Sequence, residues 1–241
     1  MNQILEIQNS QQQALLYLLA FLKEQDYHFT TITPLSHQRI LERKKNEIYK
    51  HRTLQDIFGW NLGFKKTDLD PVLFELLQEH QLLQLQQGQY LSQVRVSSLD
   101  NELFIHSAFP TTQQDAVFFG PDTYRFVYHL KQYLATQPHP FKRAVEICCG
   151  TSAAAISLAR HFPDNNEIMV ADLNPKALLY SQINISFAGL NHIHPVQSNL
   201  FSNLEGNFDL IFANPPYLID PDQRQYRHGG NKLDGCDLSF R

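Results

Sequence analysis

Short apolar runs alternate with helix-forming segments over the second half of the chain, and this alternation most constrains the fold. It predicts strands at residues 144–148, 167–173, 194–198 and 208–213, the last of them fully buried. Strands that alternate with helices form parallel α/β sheets, because a parallel pair needs a crossover connection. Ligands of such sheets bind at the carboxyl ends of the strands, so the residues after each strand form the candidate site.

A tight turn follows the first of these strands. Cys149-Gly150-Thr151-Ser152 separates it from residues 153–160, whose composition favours a helix. Such a turn directs backbone N–H groups and a helix amino-terminus towards a ligand, and small residues let the ligand approach the chain closely. An ordinary βαβ unit without a ligand has the same pattern, so that alternative stays open.

The second strand ends in Asp172, and Asn174-Pro175 opens the next helix. A carboxylate at this position can accept hydrogen bonds from both ribose hydroxyls of a nucleoside cofactor. NAD is disfavoured as that cofactor because its three-glycine fingerprint is absent.

The fourth strand is followed by an Asn-Pro-Pro-Tyr sequence made of Asn214, Pro215, Pro216 and Tyr217. Two prolines remove two backbone donors and hold the chain extended, so the preceding carbonyls are available to a substrate amine. A stiff Asn-Pro turn without a chemical role is the structural alternative. The position behind a cofactor unit favours the functional interpretation.

Together these motifs resemble the class I S-adenosylmethionine-dependent methyltransferases, and in particular the small-domain N-methyltransferases with an Asn-Pro-Pro-Tyr motif. That group includes release-factor glutamine methyltransferases and ribosomal RNA guanine or adenine methyltransferases. The first strand of the family ends in acidic-x-Gly-x-Gly-x-Gly. Here Glu146 takes the acidic place and Gly150 remains, whereas Cys148 and Ser152 replace the outer glycines.

The resemblance implies S-adenosylmethionine as the cofactor. Asp172 would then bind the ribose, Leu173 would pack on the adenine, and Asn199 would accept the hydrogen bond of the adenine amino group in place of the usual aspartate. The full set of cofactor-binding residues implied in this way is Glu146, Cys148, Gly150, Asp172, Leu173, Asn199 and Leu200.

The resemblance also assigns the chemistry to residues 214–217. The asparagine side chain and a proline-proximal carbonyl would accept hydrogen bonds from a target NH2 group, and the tyrosine would stack on its planar group. Residues 226–235 resemble the glycine-containing segment that follows this motif, and residues 119–123 resemble a lead-in loop over the cofactor.

The predicted fold class is α/β, with a Rossmann-like class I methyltransferase sheet at residues 111–241. The sheet of that family has more strands than the four predicted here, so we expect an incomplete domain whose carboxy-terminal strands are missing. The natural gene product is then expected to be longer.

The first 110 residues are predicted to form a mainly helical, winged-helix-like substrate-recognition domain. Apolar spacing and an Asp-Pro start predict helices at residues 11–24, 40–49 and 71–80, and short strands follow at 83–85, 90–96 and 103–106. A helix followed by a small hairpin resembles a winged-helix module, which binds nucleic acid in some proteins and only packs against a neighbour in others.

Residues 39–66 carry a net charge of +5 in a chain whose total is -4. A polyanionic partner and a solvated helix face explain this segment equally well. Three cysteines, two of them adjacent, indicate neither a disulfide framework nor a metal site. With no apolar stretch of membrane-spanning length, the expected location is the cytoplasm.

Three functions therefore stay open. The leading one is methyl transfer to a planar amino nitrogen in nucleic acid, at adenine N6 or guanine N2 of RNA rather than DNA. The alternative is N5-methylation of glutamine in a protein loop, and the second alternative is a module that binds a cofactor or partner without catalysis.

Overall fold

The computed structural model describes residues 2–45, 51–136, 141–162 and 167–240. The chain divides into two compact units, Met1–Pro110 and Thr111–Arg241. Each unit has its own buried apolar residues and is described by itself.

The first unit begins with three helices, α1 (Asn2–Glu24), α2 (Pro34–Lys45) and α3 (Pro71–Glu79), with a short π-helix and a 3₁₀ helix between α2 and α3. The leucine spacing predicted α1, and Leu15, Leu18, Leu19 and Leu22 are indeed buried. The helix predicted at residues 40–49 begins earlier, at Pro34, because proline is favourable in a first turn. Its predicted end lies partly outside the described residues.

Two antiparallel strand pairs complete this unit. Strands β1 (Leu83–Gln86) and β2 (Gln89–Ser92) form one pair, and β3 (Val94–Leu99) and β4 (Glu102–Ser107) form the other. The single strand predicted at residues 90–96 was wrong, because the chain breaks at Gln93. There the Ser92 hydroxyl donates to the Val94 carbonyl at 2.7 Å, and the Gln93 N–H donates to the carbonyl of Leu82, the residue before β1, at 2.9 Å. A winged-helix module stays a prediction.

His37 of α2 is buried in this unit, at 1% exposure. Its Nε2 lies 3.0 Å from the carbonyl oxygen of Trp60, and its ring contacts the rings of Trp60 and Phe109. Burial, together with the nearby Arg95 guanidinium, lowers the pKa of His37 to about 4. The imidazole is therefore neutral at physiological pH.

The second unit is an α/β sheet with flanking helices. Its elements are α4 (Pro121–Ala135), β5 (Arg143–Ile147), α5 (Ala153–His161), β6 (Glu167–Asp172), α6 (Pro175–Ala188), β7 (Ile193–Gln197) and β8 (Leu210–Ala213). The strands lie in the order β7-β6-β5-β8 and all pairs are parallel. The predicted strand–helix alternation is confirmed, and all four carboxyl ends meet at one edge.

The fourth strand is shorter and more exposed than predicted. It begins at Leu210, and Ile211 is 55% exposed whereas Phe212 is 6% exposed. The reason is its place in the sheet: within the described residues β8 pairs with β5 on one side only. The expectation of a fully buried strand was therefore wrong.

Over the described ranges, the helices include none with the length and apolar character to cross a lipid bilayer.

Candidate functional site

A cavity of about 510 Å³ opens at the carboxyl ends of the four parallel strands of the second unit. This volume suits a small-molecule ligand. The cofactor and acceptor residues predicted from the sequence all lie on its wall: Glu146, Cys148, Gly150, Asp172, Leu173, Asn199, Leu200, Asn214, Pro215, Pro216 and Tyr217. The described residues contain no cluster of three or more side chains suited to holding a metal ion.

The turn after β5 alternates in and out of the left-handed conformation. Cys148, Gly150 and Ser152 have φ values of +57°, +54° and +56°. Glycine adopts this region at low cost, whereas residues with a side chain rarely do. Cys148 and Ser152 nevertheless adopt it, so the backbone keeps the shape that the family motif achieves with glycines. The turn is closed by the Ser152 N–H, which donates to the Cys149 carbonyl at 2.7 Å.

Gly150 is the position in this turn where the absence of a side chain creates space. A Cβ added there would meet no protein atom within 4 Å, and the residue lies on the cavity wall. A ligand can therefore approach the backbone at this point, which fits a nucleoside cofactor held against the turn.

Ser152 has a second role besides completing the turn. Its hydroxyl forms a short hydrogen bond with the Ser181 hydroxyl of α6, and both residues are fully buried. Asn184, one turn further along α6, donates to the Thr151 carbonyl at 3.1 Å. Polar contacts thus hold the turn against α6 where the family motif has a glycine.

Asp172 joins the end of β6 to the neighbouring turn. One carboxylate oxygen accepts from the Gly150 N–H and the other from the Asn174 N–H, each at 2.9 Å. Burial raises its pKa despite these bonds. Since each carboxylate oxygen can accept more than one hydrogen bond, acceptor capacity is left for ribose hydroxyls on the cavity side.

Glu146 lies below the turn and is 4% exposed. Its Oε2 accepts from the Ala155 N–H at 3.0 Å, so it fixes the first turn of α5 against β5. Burial raises the pKa of Glu146 to about 8, with a further contribution from Asp172. Burial likewise raises the pKa of the Cys148 thiol to about 12, which makes this cysteine a poor nucleophile.

The predicted adenine-side residues are placed around the other wall. Leu173 is 57% exposed, although it lines the cavity, so its apolar surface is available to a planar ligand. Asn199 is exposed on the cavity wall, and its backbone N–H donates to the Ser202 hydroxyl at 3.2 Å. Leu200 packs against the small apolar cluster formed by Val145, Ile147 and Ala171.

The Asn-Pro-Pro-Tyr turn, which the sequence predicts as the acceptor side, lines the cavity. Asn214 is exposed, and Tyr217 is 46% exposed. The Tyr217 hydroxyl donates to Oδ2 of Asp122 at 3.0 Å. Burial and this contact raise the pKa of Tyr217, so the phenol stays protonated.

The glycine-containing segment predicted on the substrate side packs directly behind this turn. A Cβ on Gly229 would lie 2.3 Å from the Pro216 oxygen and 2.0 Å from the Gly235 oxygen. The Gly229 N–H also donates to the Leu218 carbonyl at 2.9 Å. Glycine is therefore required at 229 by close backbone approach.

Two parts of the site escaped sequence reasoning. A salt bridge between Asp220 and Arg224 orders the loop after the turn, and Arg224 lowers the pKa of Asp220. Tyr226 stacks on Phe118 with ring centroids 5.5 Å apart and donates its hydroxyl to the Thr111 carbonyl at 3.0 Å. The Asp-x-x-x-Arg spacing could have indicated the salt bridge from the sequence. The stacking joins residues that are far apart in the sequence, so no local pattern indicates it.

Known proteins resemble the second unit. A family model described as the methyltransferase small domain matches residues 126–227. A ribosomal protein uL3 glutamine methyltransferase of Neisseria gonorrhoeae is 41% identical over 106 residues, which cover 40% of this chain and 35% of that protein. A release factor glutamine methyltransferase of Escherichia coli is 38% identical over 103 residues, which cover 42% of this chain and 36% of that protein.

A solved S-adenosylmethionine-dependent methyltransferase from Agrobacterium tumefaciens is 19% identical, with a TM-score of 0.42 over 52% of this chain and 41% of that one. The chain spans about a third of the length of the curated relatives named above. The family match covers α4 from Phe126 on, the four parallel strands and the acceptor turn. Residues 126–227 of this chain are therefore similar to the methyltransferase small domain.

Proposed function

We propose that this chain is an S-adenosylmethionine-dependent methyltransferase that transfers a methyl group to the side-chain amide nitrogen of glutamine in a protein. The observation that carries the proposal is the shared cavity: the turn at Gly150, the Asp172 carboxylate and the Asn-Pro-Pro-Tyr turn line the same space. A cofactor and an acceptor bound there would be held side by side.

On the cofactor side, the chain offers a fitting set of groups. Gly150 leaves room beside the backbone, Asp172 offers carboxylate oxygens, and Leu173 offers an exposed apolar surface. Bound there, S-adenosylmethionine supplies a methyl group that is activated by a positively charged sulfur.

On the acceptor side, the residues supply hydrogen-bond acceptors and a planar surface. Asn214 presents a side-chain carbonyl, and Pro215 and Pro216 have no N–H to compete with a donor. Two acceptors that bind both protons of an NH2 group would reduce the delocalisation of its lone pair into the carbonyl, so that the nitrogen can attack the methyl carbon. The N–C bond would form as the S–C bond breaks to leave a neutral thioether, and the nitrogen would release one proton to solvent. The residues therefore orient the nitrogen, and no strong general base is needed.

The relatives favour glutamine over the nucleic acid acceptor that the sequence placed first. Both curated relatives described above carry the name of a glutamine methyltransferase. The basic segment also has fewer available charges than its count suggests. Lys44 is paired with Asp56 at 2.7 Å, and Lys66 is paired with Glu75.

The test is methyl transfer from radiolabelled S-adenosylmethionine by the full chain to three purified acceptors: a ribosomal protein uL3, a release factor and ribosomal RNA. We expect label in a protein and its release as methylamine on acid hydrolysis, because only an amide-linked methyl leaves in that form. Label in RNA alone would replace the glutamine proposal with the nucleic acid one.

The matched variant is Asn214→Ala. We expect transfer to fall by about 100-fold or more, because an oriented acceptor is lost, while calorimetric affinity for S-adenosylmethionine stays unchanged. Unchanged turnover would remove Asn214 from the chemistry. Absence of cofactor binding by the unaltered chain would leave the non-catalytic alternative.

A further inference from the structure

The tyrosine of the acceptor turn is held by a residue far from it in sequence. The Tyr217 hydroxyl donates to Asp122 at 3.0 Å across a separation of 95 residues, and both side chains line the cavity. The two prolines before Tyr217 hold the preceding backbone extended, and the hydroxyl contact holds the far end of its side chain.

The backbone at Asp122 is held in the first turn of a helix. It lies in the first turn of α4, which begins after Gly120 with Pro121 in its first turn. The Thr123 N–H donates to the Gly120 carbonyl at 2.9 Å, and the Gly120 N–H donates to the Thr123 hydroxyl at 3.3 Å. A carboxylate is favourable at a helix amino-terminus, so the position stabilises the charge.

The two oxygens of Asp122 have different partners. Oδ1 lies 3.4 Å from Nη1 of Arg125, which is 73% exposed, whereas Oδ2 accepts from Tyr217. The contact with Arg125 is a surface ion pair and contributes little. The contact with Tyr217 is a charge-assisted hydrogen bond on the cavity wall, which is the stronger kind.

We infer that Asp122 is a positioning residue that fixes the ring of Tyr217 for stacking on the acceptor's planar amide. This inference rests on the proposed function. A ring that is 46% exposed has little packing to restrain it, so the hydroxyl contact does most of the restraining. Without the contact, the acceptor itself has to immobilise the ring on binding, which weakens binding by about 3- to 10-fold.

The test is a double-mutant cycle on the full chain with Asp122→Ala, Tyr217→Phe and the double variant. The measured quantities are KM and kcat for whichever of ribosomal protein uL3 and a release factor is methylated. We expect each single variant to raise KM by about 3- to 10-fold with kcat within about 2-fold, and the double variant to match the single ones, because all three lack one shared contact.

Two further variants separate positioning from a general structural role. Asp122→Asn keeps an oxygen acceptor for the hydroxyl and should restore most of the affinity for the acceptor. Arg125→Ala removes the other partner of Asp122 and should leave KM unchanged. Effects of Asp122→Ala and Tyr217→Phe that add in the double variant would overturn the inference.

A readout independent of turnover distinguishes this inference from the proposed function. In the chain labelled with 13C at the tyrosine rings, the Tyr217 signal is the one that Tyr217→Phe removes. We expect Asp122→Ala to shift and sharpen that signal, because the ring gains freedom, and an unchanged signal would show that Asp122 does not hold the ring. If no acceptor is methylated, the proposed function and the acceptor role both fall, and the NMR signal still decides whether the contact restrains the ring.

Discussion

The carboxylate of Asp172 accepts a hydrogen bond from the backbone N–H of Gly150 at 2.9 Å, and so joins the end of β6 to the turn that follows β5. Its other oxygen accepts from the Asn174 N–H. A single side chain therefore shapes the cofactor side of the cavity as well as lining it.

Replacing Asp172 by asparagine places an NH2 group opposite one of these two backbone donors. We expect the affinity for S-adenosylmethionine to fall by about 10- to 100-fold, because one hydrogen bond becomes a donor–donor contact. Isothermal titration calorimetry measures this affinity. The matched control is Asp209→Asn: Asp209 also accepts two backbone N–H groups, those of Lys142 and Arg143, but lies at the opposite end of the sheet. Equal losses of affinity in the two variants would contradict a direct role of Asp172.

Gly150→Ala tests whether the space beside the turn is used by the cofactor. The substitution forces a side chain into the left-handed region at φ +54°, which costs about 1 kcal/mol of folding free energy. Gly189→Ala is a close match, with φ +68° and no atom within 4 Å of the added Cβ, but it lies at the end of α6 outside the cavity lining. We expect both variants to unfold at similarly lower urea concentrations and only Gly150→Ala to bind S-adenosylmethionine more weakly. Equal cofactor affinities would show that the space is not occupied.

Glu146 makes stability fall as the pH rises. Burial raises its pKa to about 8 from the ordinary 4.5, so the folded protein holds this proton more tightly than the unfolded chain does. The resulting stabilisation is complete below the ordinary pKa and is lost as the pH rises through the folded one.

Glu146→Gln removes this titration. Relative to the unaltered chain, we expect its free energy of unfolding to rise by roughly 2–4 kcal/mol between pH 5 and pH 8.5, as measured by urea denaturation. The exposed Glu205→Gln should leave the pH profile unchanged. Parallel profiles for Glu146→Gln and the unaltered chain would show that Glu146 does not titrate in this range.

His37 makes the stability of the first unit depend on pH in the opposite direction. Its pKa is lowered from 6.5 to about 4, so the unfolded chain binds the proton more tightly than the folded protein. Stability is therefore complete above the ordinary pKa and is lost as the pH falls from about 6.5 to about 4.

The fluorescence of Trp60 measures this locally, because it is the sole tryptophan and its ring lies 5.2 Å from that of His37. We expect a loss of roughly 2 kcal/mol between pH 6.5 and pH 4.5 in the unaltered chain and a smaller loss in His37→Gln. His28→Gln is the control, since His28 is exposed. If His37→Gln loses as much unfolding free energy on acidification as the unaltered chain, groups other than His37 cause the loss.

The sequence predicted which strand ends lie together on the cavity wall, because those positions follow from local patterns. Gly150 and Asn199 lie just after strands and Asp172 is the last residue of one, and the ends of parallel strands meet at one edge whatever the details of packing. The substitutions at Cys148 and Ser152 did not hide the turn, since the apolar strand before it and the alanine-rich helix after it were intact.

Contacts between distant segments could not be predicted in this way. Nothing in the sequence pairs Tyr217 with Asp122 or Ser152 with Ser181, because such contacts depend on where helices pack. The exposure of Ile211 was missed for a related reason: an apolar run looks the same in a central strand and in an edge strand.

Gly229 packs closely behind Pro216, so the turn at residues 214–217 needs a segment that is synthesised later. The strand ends on the cofactor side of the cavity do not need that segment. Once residues up to Ala213 have left the ribosome, the chain contains every strand and turn of the cofactor half, but the acceptor turn still lacks its support. That support arrives only with the segment that ends near Leu238, whose N–H donates to the Gly229 carbonyl. Under the proposed function, chains shortened before Gly229 should therefore keep affinity for S-adenosylmethionine and lose affinity for the acceptor, so a nascent or clipped molecule would hold its cofactor before it could methylate an acceptor.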